Sequence, residues 1–505
     1  MRGIRFFALL LGIIGIIITS FTLWIPKTFG NDVHFEQILW HLMESNIEGV
    51  DQYYIIRGIK FLLFMLFLSF AWAAIIYPHL FLRPLQKFAF IGKISGKTVF
   101  KSRRWYLFLF IASFIYLAAI CMVTDKKFQI SQYLTAESVQ PGEKDGHKDG
   151  IKENYIVPKN EDIYFEKKKN IVIVLAESME CSFNDESIGK KYMPSMEIFQ
   201  SSSQYVDKYI NVTGTNWTIA SLTGWFFGLP LKLPKGITRN RYISKKGFLP
   251  SAESIFDILR ENGYELVVVL GTNRFFSGKD ILFSGHGGFS IQDMEYFEKQ
   301  GWSLKEFGGT QWGFSDAFVF DRALEEYKKL VASGKPFVLL VETTDTHAPI
   351  GFCPPERQTY NDIRDAIVEL DRNLAAFSRQ IWDDDVILII LGDHLYMGEP
   401  EFLAPVAERH IFNLFHGDVP PIPATKRQAY VSALDMAPTL LQAAGARWGH
   451  DRFGLGVSLF SGEPTLLETY GPRKFNEILS GWSPFYSTLY EKKPGGPATG
   501  PTGLQ

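Results

Sequence analysis

The chain has 505 residues, of which 46% are hydrophobic, 15% aromatic and 21% charged, with a formal net charge of −2. So even a balance lacks the basic footprint of a nucleic-acid binder, and no nucleic-acid partner is expected. The length allows a large core plus further segments. Three stretches, 6–24, 61–77 and 105–123, carry no charged residue and come close to the roughly 20 apolar residues that cross a hydrocarbon core. They are predicted transmembrane helices, making 1–123 a membrane domain. The first reads as a retained anchor, because it ends in Trp24-Ile25-Pro26 without a small-residue cleavage pattern and further spans follow.

Loop charges orient the spans. Arg83, Lys87, Lys93, Lys97, Lys101, Arg103 and Arg104 lie between the second and third with no acid among them, so that loop is expected in the cytoplasm. Between the first and second, Asp32, Glu36, Glu44, Glu48 and Asp51 outnumber Lys27, Arg57 and Lys60. The N-terminus is therefore expected inside and everything after Val123 outside the cytoplasm.

Residues 124–168 are polar, without an apolar period, and read as a linker. From 169 to 490, apolar runs alternate with helical patterns. The runs are Ile171 to Ala176, Leu266 to Leu270, Phe337 to Val341 and Val386 to Leu391; Ala252 to Asn262, Ser315 to Ala332 and Tyr360 to Trp382 read as helices. Such a βαβ succession predicts an α/β domain with a doubly wound sheet. The Gly/Pro-rich end, 491–505, reads as a disordered tail. Cys181 and Cys353 would both lie outside the cytoplasm, and spacing leaves their pairing open.

Unbroken apolar runs are the mark of strands buried on both faces, and ligands in open α/β sheets bind beyond the carboxyl ends of such strands. One run ends at Gly392 and delivers Asp393 and His394; another delivers Glu177. Taken singly, an Asp-His pair is also an ordinary capping turn and Glu177 an ordinary first-turn acid. Together, two carboxylates and an imidazole make a plausible but incomplete shell for a divalent ion such as zinc or manganese. Thr215, in Thr213-Gly214-Thr215-Asn216-Trp217-Thr218, opens a predicted helix through Ile219 to Phe227. A hydroxyl at a helix N-terminus beside a cation is suited to attack on phosphorus, although the same segment is also a common turn and N-cap.

The order LAES at 175–178, TGTNWTIAS at 213–221 leading to GLP at 228–230, TDTHAP at 344–349 and LGDH at 391–394 resembles the alkaline phosphatase/sulfatase superfamily. Within it, the chain is most similar to membrane-anchored phosphoglycerol transferases that modify periplasmic glucans and, more distantly, to lipoteichoic acid synthases. The resemblance implies a sulfatase-like domain on a bacterial inner membrane, facing the periplasm. It also implies one divalent ion, Mn or Zn, held by Glu177, Asp393 and His394 together with Thr215. Thr215 matches the nucleophile, with Thr218 the neighbouring alternative, and His347 matches a histidine near the transferred group. Lys279, His286 and Trp217 are implied substrate contacts. The implied reaction takes phosphoglycerol from phosphatidylglycerol to a glycan acceptor; a phosphoethanolamine transferase and a non-catalytic metal-binding module are the alternatives. Cys353-Pro354-Pro355-Glu356-Arg357 fits the pattern from which sulfatases make formylglycine, but it follows the TDTH run rather than opening the nucleophile helix, so sulfatase activity is not expected.

Overall fold

A computed structural model of the chain describes residues 2–29, 52–77, 103–128 and 149–491, apart from 234–246, 311, 349–350, 383–384, 399 and 482, with isolated positions at 33, 35, 37–39 and 130–131. The basic residues Arg83 to Lys101, the acids Asp32 to Asp51 and the tail from 492 lie outside the described residues. The chain divides into two compact units, Met1–Phe35 with Val50–Leu134, and Glu36–Gly49 with Thr135–Gln505.

The first unit holds α1 (Arg2–Phe29), α2 (Gln52–Ile76) and α3 (Arg103–Phe128), each long and apolar enough to cross a membrane. Leu23, Phe67 and Met122 are all more than 60% exposed, a surface that suits hydrocarbon and not water. Small residues let the helices approach. A Cβ on Gly12 would fall 2.0 Å from the Trp72 ring and one on Gly15 2.6 Å from Tyr116. Polar groups on these faces find partners: Trp72 Nε1 donates to Ala8 O (3.2 Å), and the hydroxyls of Thr22 and Thr124 lie 2.7 Å apart.

In the second unit, β1 (Ile171–Ala176), α4 (Thr218–Phe227), α5 (Ile255–Glu261), β2 (Glu265–Leu270), β3 (Ser290–Gln292), α6 (Asp316–Ser333), β4 (Phe337–Glu342), α7 (Ile363–Ile381), β5 (Ile387–Gly392), β6 (Asn413–His416) and α8 (Met436–Ala443) follow in chain order. The sheet order is β6-β5-β1-β4-β2-β3, parallel except for β6, which pairs antiparallel with β5. Period-two alternation sends Ile171, Ile173 and Leu175 to the face covered by α4, α5 and α8. Val172, Val174 and Ala176 go to the face covered by α6 and α7. Burial on both sides is why the strands read as continuous apolar runs. Local signals stop and start the helices: Asp362 caps α7 by accepting from Arg364 N, and Gly334 ends α6 in the left-handed region.

One expectation is corrected. The second half of the segment read as a linker belongs to the folded unit: Gly150–Asn154 is helical, and Tyr164–Phe165 pairs with Ala446–Arg447. Ile151 and Ile163 are buried there. Their burial supplies the hydrophobic free energy that the surrounding charged residues conceal in composition.

Candidate metal centre

The sheet brings the two ligand-bearing strands side by side, since β1 and β5 pair in parallel with Ala176 opposite Gly392. The next residues, Glu177 and Asp393, therefore emerge together at the carboxyl edge. Gly392 is required by contact: a Cβ there would lie 2.0 Å from the carbonyl oxygen of Met179. Ser178 takes a left-handed φ of 51°, a conformation of restricted steric allowance that turns the chain sharply away from the strand.

Glu177, Asp393 and His394 are buried, and one ligand atom from each lies within 4.8 Å of the others. Each is fixed by the backbone. Glu177 N donates to Thr343 Oγ1 (2.9 Å), while Asp393 Oδ1 accepts from Ser178 N and His394 N, both at 2.8 Å. His394 Nδ1 lies 2.8 Å from Leu395 O; a carbonyl can only accept, so Nδ1 carries the proton and Nε2 presents its lone pair to the site. Nε2 is 3.3 Å from Asp393 Oδ2 and 3.7 Å from Glu177 Oε1.

Asp393 Oδ2 and His394 Nε2 are buried without a hydrogen-bond partner among the described residues. Buried polar atoms are normally satisfied, and two unsatisfied electron-pair donors converging with a second carboxylate form a set that a divalent cation fits. Electrostatics agree. Burial acts to raise the Glu177 carboxyl, but the nearby imidazoles of His394 and His347 and the hydroxyls of Ser178 and Thr218 outweigh it and hold it below the ordinary carboxylate range. Burial and the charge of Glu177 push Asp393 up to about 7. His394 is raised because the Asp393 and Glu177 charges overcome its desolvation. Without a cation the cluster retains a proton that a cation would displace.

The two threonines are separated by the structure. Thr215 is 1% exposed; its Oγ1 donates to Val212 O (2.9 Å) and accepts from Val212 N (3.0 Å), closing a turn. Thr218 is half-buried, is the first residue of α4, and donates to Glu177 Oε2 at 3.3 Å. The hydroxyl brought to the acids is thus that of Thr218, three residues beyond the one expected.

His347 ends a turn in which its N–H donates to Thr344 O (2.9 Å). Its Nδ1 lies 2.8 Å from Ala348 O, and its ring packs 4.5 Å from that of Trp312. It is near enough to Glu177 to help lower that carboxyl. The remaining expected contacts lie elsewhere. Lys279 is buried, with Nζ 2.5 Å from Glu342 Oε1 and 2.8 Å from Thr272 Oγ1. His286 is held at both nitrogens, by Asp257 Oδ2 (2.7 Å) and Phe248 O (2.6 Å). Trp217 is 4% exposed within the core. None of these three hydrogen-bonds to Glu177, Asp393 or His394 among the described residues.

Several supports were not singled out from sequence, though most stand inside the motifs. Ser221 Oγ donates to Thr215 O (2.8 Å) and contacts Asp393 O, joining the start of α4 to the end of β5. Thr346 donates to the Glu177 carbonyl. Asp316 and Asp345 clamp each other: Asp316 Oδ1 accepts from Thr344 N (2.6 Å) and Asp345 N (3.1 Å), and Asp345 Oδ2 accepts from Asp316 N (2.9 Å). Burial raises both carboxyls, Asp316 to about 7. Cys181 and Cys353 are both free thiols. Cys353 lies in the loop between β4 and α7, where Arg357 pairs with Glu369, and the start of α4 is held by Thr218.

The family profile described as Sulfatase matches residues 169–446. Phosphoglycerol transferase I of Xanthomonas campestris pv. campestris is 31% identical over 315 residues, 59% of this chain and 43% of that protein. Phosphoglycerol transferase I of Escherichia fergusonii is 29% identical over 312 residues, 59% of this chain and 39% of that protein. Among solved structures, the lipoteichoic acid synthase LtaP from Listeria monocytogenes is 18% identical with a TM-score of 0.46, covering 62% of this chain and 80% of that one. The chain spans less than half the length of these two curated relatives. With the profile covering more than half of its residues, the chain belongs to the sulfatase family.

Proposed function

We propose that the chain is a membrane-anchored transferase that moves phosphoglycerol from phosphatidylglycerol to a glycan hydroxyl outside the cytoplasm, through a covalent intermediate on Thr218. The observation carrying this reading is the Thr218 hydroxyl at the first position of α4, hydrogen-bonded to Glu177 beside Asp393 and His394. The curated relatives bear the name phosphoglycerol transferase I, which supports the choice of group.

Glu177, Asp393 and His394 would hold one divalent cation, Zn or Mn, whose chemistry is to lower the pKa of a nearby hydroxyl and offset phosphate charge. Thr218 Oγ attacks phosphorus, losing its proton as the bond to the diacylglycerol oxygen breaks and diacylglycerol leaves as the alcohol. An acceptor hydroxyl then attacks the same phosphorus and Thr218 Oγ departs, recovering a proton. With Nδ1 turned to Ala348, His347 keeps Nε2 to carry the Thr218 proton to the leaving alcohol and then to carry the acceptor's proton back to Thr218. The N-terminus of α4 favours the anion that develops at its mouth. Anchoring places donor and enzyme in one bilayer and raises effective concentration.

The test is intact-mass analysis of the full chain after incubation with phosphatidylglycerol or phosphatidylethanolamine, followed by peptide mapping. A phosphoglycerol adduct on Thr218 that acceptor removes is the expected result. An adduct only with phosphatidylethanolamine would make the enzyme a phosphoethanolamine transferase, an adduct on Thr215 would displace the assignment, and metal binding with no adduct would leave a non-catalytic module. The proposed topology places a reporter fused after Gly150 outside the cytoplasm of a bacterial inner membrane; reporter activity inside the cell contradicts it.

A further inference from the structure

The turn that leads into α4 is anchored at both of its ends by distant side chains. α4 begins at Thr218 with Trp217 in the N-cap position, and that side chain makes no hydrogen bond to the first-turn amides. The helix thus lacks the local device that ordinarily fixes a first residue. Placement of Thr218 depends instead on the turn before it. Gly214, at φ 80°, packs so closely there that a Cβ would stand 2.7 Å from Pro230, and its carbonyl accepts from Leu231 N at 2.9 Å.

Ahead of the glycine, Thr213 N and Thr213 Oγ1 both donate to Asn476 Oδ1, at 2.7 and 2.9 Å. Asn476 stands on α9 (Leu466–Ser480), which starts at a capping box of Thr465 and Glu468 and is seated by the buried Phe475 and Leu479, one helical turn apart. Beyond the glycine, Asn216 Nδ2 donates to Gln37 Oε1 at 3.1 Å, with Gln37 2% and Asn216 7% exposed. Gln37 follows α1 in the chain, is helical together with Ile38 and Leu39, and belongs to the second unit. Both amides reach the turn from outside residues 169–446, one from each side in sequence.

We infer that Gln37 and Asn476 are positioning residues for the Thr218 hydroxyl, each accepting from one end of the turn and together fixing where the first residue of α4 stands. The inference rests on the proposed role of Thr218. That hydroxyl lies 3.3 Å from Glu177 Oε2, already past the roughly 2.5–3.0 Å of a firm O–H···O bond, so a small displacement parts the two. Misplacing a reacting group by about 1 Å costs on the order of 100-fold in rate. The chain between the first two membrane spans thereby helps to shape the catalytic turn, besides linking those spans. Both amides act through an oxygen that accepts, so a carboxylate of the same shape can replace either one.

The experiment uses the full chain in lipid nanodiscs. Diacylglycerol release is followed over a range of phosphatidylglycerol concentrations, and hydrogen exchange is read on peptides covering residues 211–220. In Gln37→Leu and in Asn476→Ala, kcat is expected to fall by about 10- to 100-fold with KM for phosphatidylglycerol unchanged, and exchange in those peptides to rise. Gln37→Glu and Asn476→Asp restore both quantities toward the parent. Parent-like kcat in the first pair, a loss that the acid variants do not restore, or exchange that stays unchanged overturns the inference. Should a variant fail to fold, the unaltered chain decides: slow exchange of the 213–218 amides upholds the anchoring, and exchange at the rate of an open loop overturns it. A parent chain that forms no Thr218 adduct refutes the transfer reading, while the exchange comparison still tells whether the two amides hold the turn.

Discussion

Thr218→Ala is expected to reduce diacylglycerol release from phosphatidylglycerol on the order of 10⁴-fold or more, the scale set by loss of a catalytic nucleophile. Thr218 is half-buried, so its removal leaves no large cavity, and its Oγ1 makes one 3.3 Å bond to Glu177. Folding and metal content should survive. Thr215→Ala has the opposite signature. Its hydroxyl makes two buried bonds to Val212; Val212 O keeps a bond from Thr215 N, but orphaning Val212 N costs about 1–3 kcal/mol. It should lower the thermal midpoint while keeping most of the transfer activity. Measuring both quantities on both variants separates the roles; a Thr218→Ala chain with normal turnover contradicts the mechanism.

Asp393→Asn is expected to weaken divalent-ion binding by at least about 100-fold while the metal-free chain melts higher than the parent. Both effects come from one substitution. The amide oxygen can replace Oδ1 and still accept from Ser178 N and His394 N, so the loop is preserved. The amide nitrogen replaces Oδ2, 3.3 Å from His394 Nε2, and can donate at any pH, as the parent carboxyl does only while it keeps its proton, so the gain in melting appears above about pH 7. The pH dependence has a defined sign. The Asp393 carboxyl is raised from 3.8 to about 7 by burial and by Glu177, so the folded metal-free chain holds this proton more tightly than the unfolded chain. This contribution favours folding at low pH and is lost as pH rises through about 4 to 7. A cation competes with the same proton, so affinity should climb over that interval and level off above it. Titration calorimetry from acid to neutral pH, with parallel melts in chelator, reads both. A flat affinity profile in the parent would exclude Asp393 as a ligand.

The four long parallel strands were legible because β1, β2, β4 and β5 are buried on both faces and so spell unbroken apolar runs. Glu177, Asp393 and His394 were legible for a related reason: a charged residue directly after such a run has little choice but to lie at the sheet edge. β3 and β6 were not, since Ser290–Gln292 and Asn413–His416 are short and partly polar. The choice between Thr215 and Thr218 turns on whether the helix begins at one residue or three later, which rotates the hydroxyl from the backbone of Val212 to the acids. Nothing local encodes that. Lys279 and His286 read as loop cations because their partners, Glu342 and Asp257, stand 63 and 29 residues away. A long-range ion pair leaves no mark on the segment that contains one half of it.

Ser178 N meets Asp393 Oδ1 across 215 residues of sequence, and the two are neighbours only once β1 and β5 have paired in register. The unfolded chain therefore presents the Asp393–His394 pair apart from Glu177, and the three-ligand set exists only in the folded sheet. A cation held there would be captured late in assembly: it could not nucleate the fold, but it would stabilise the finished one, by about 2.7 kcal/mol when free ion exceeds its dissociation constant a hundredfold. Such an ion would act as a latch on a sheet already built, and its availability would govern how long the built form endures.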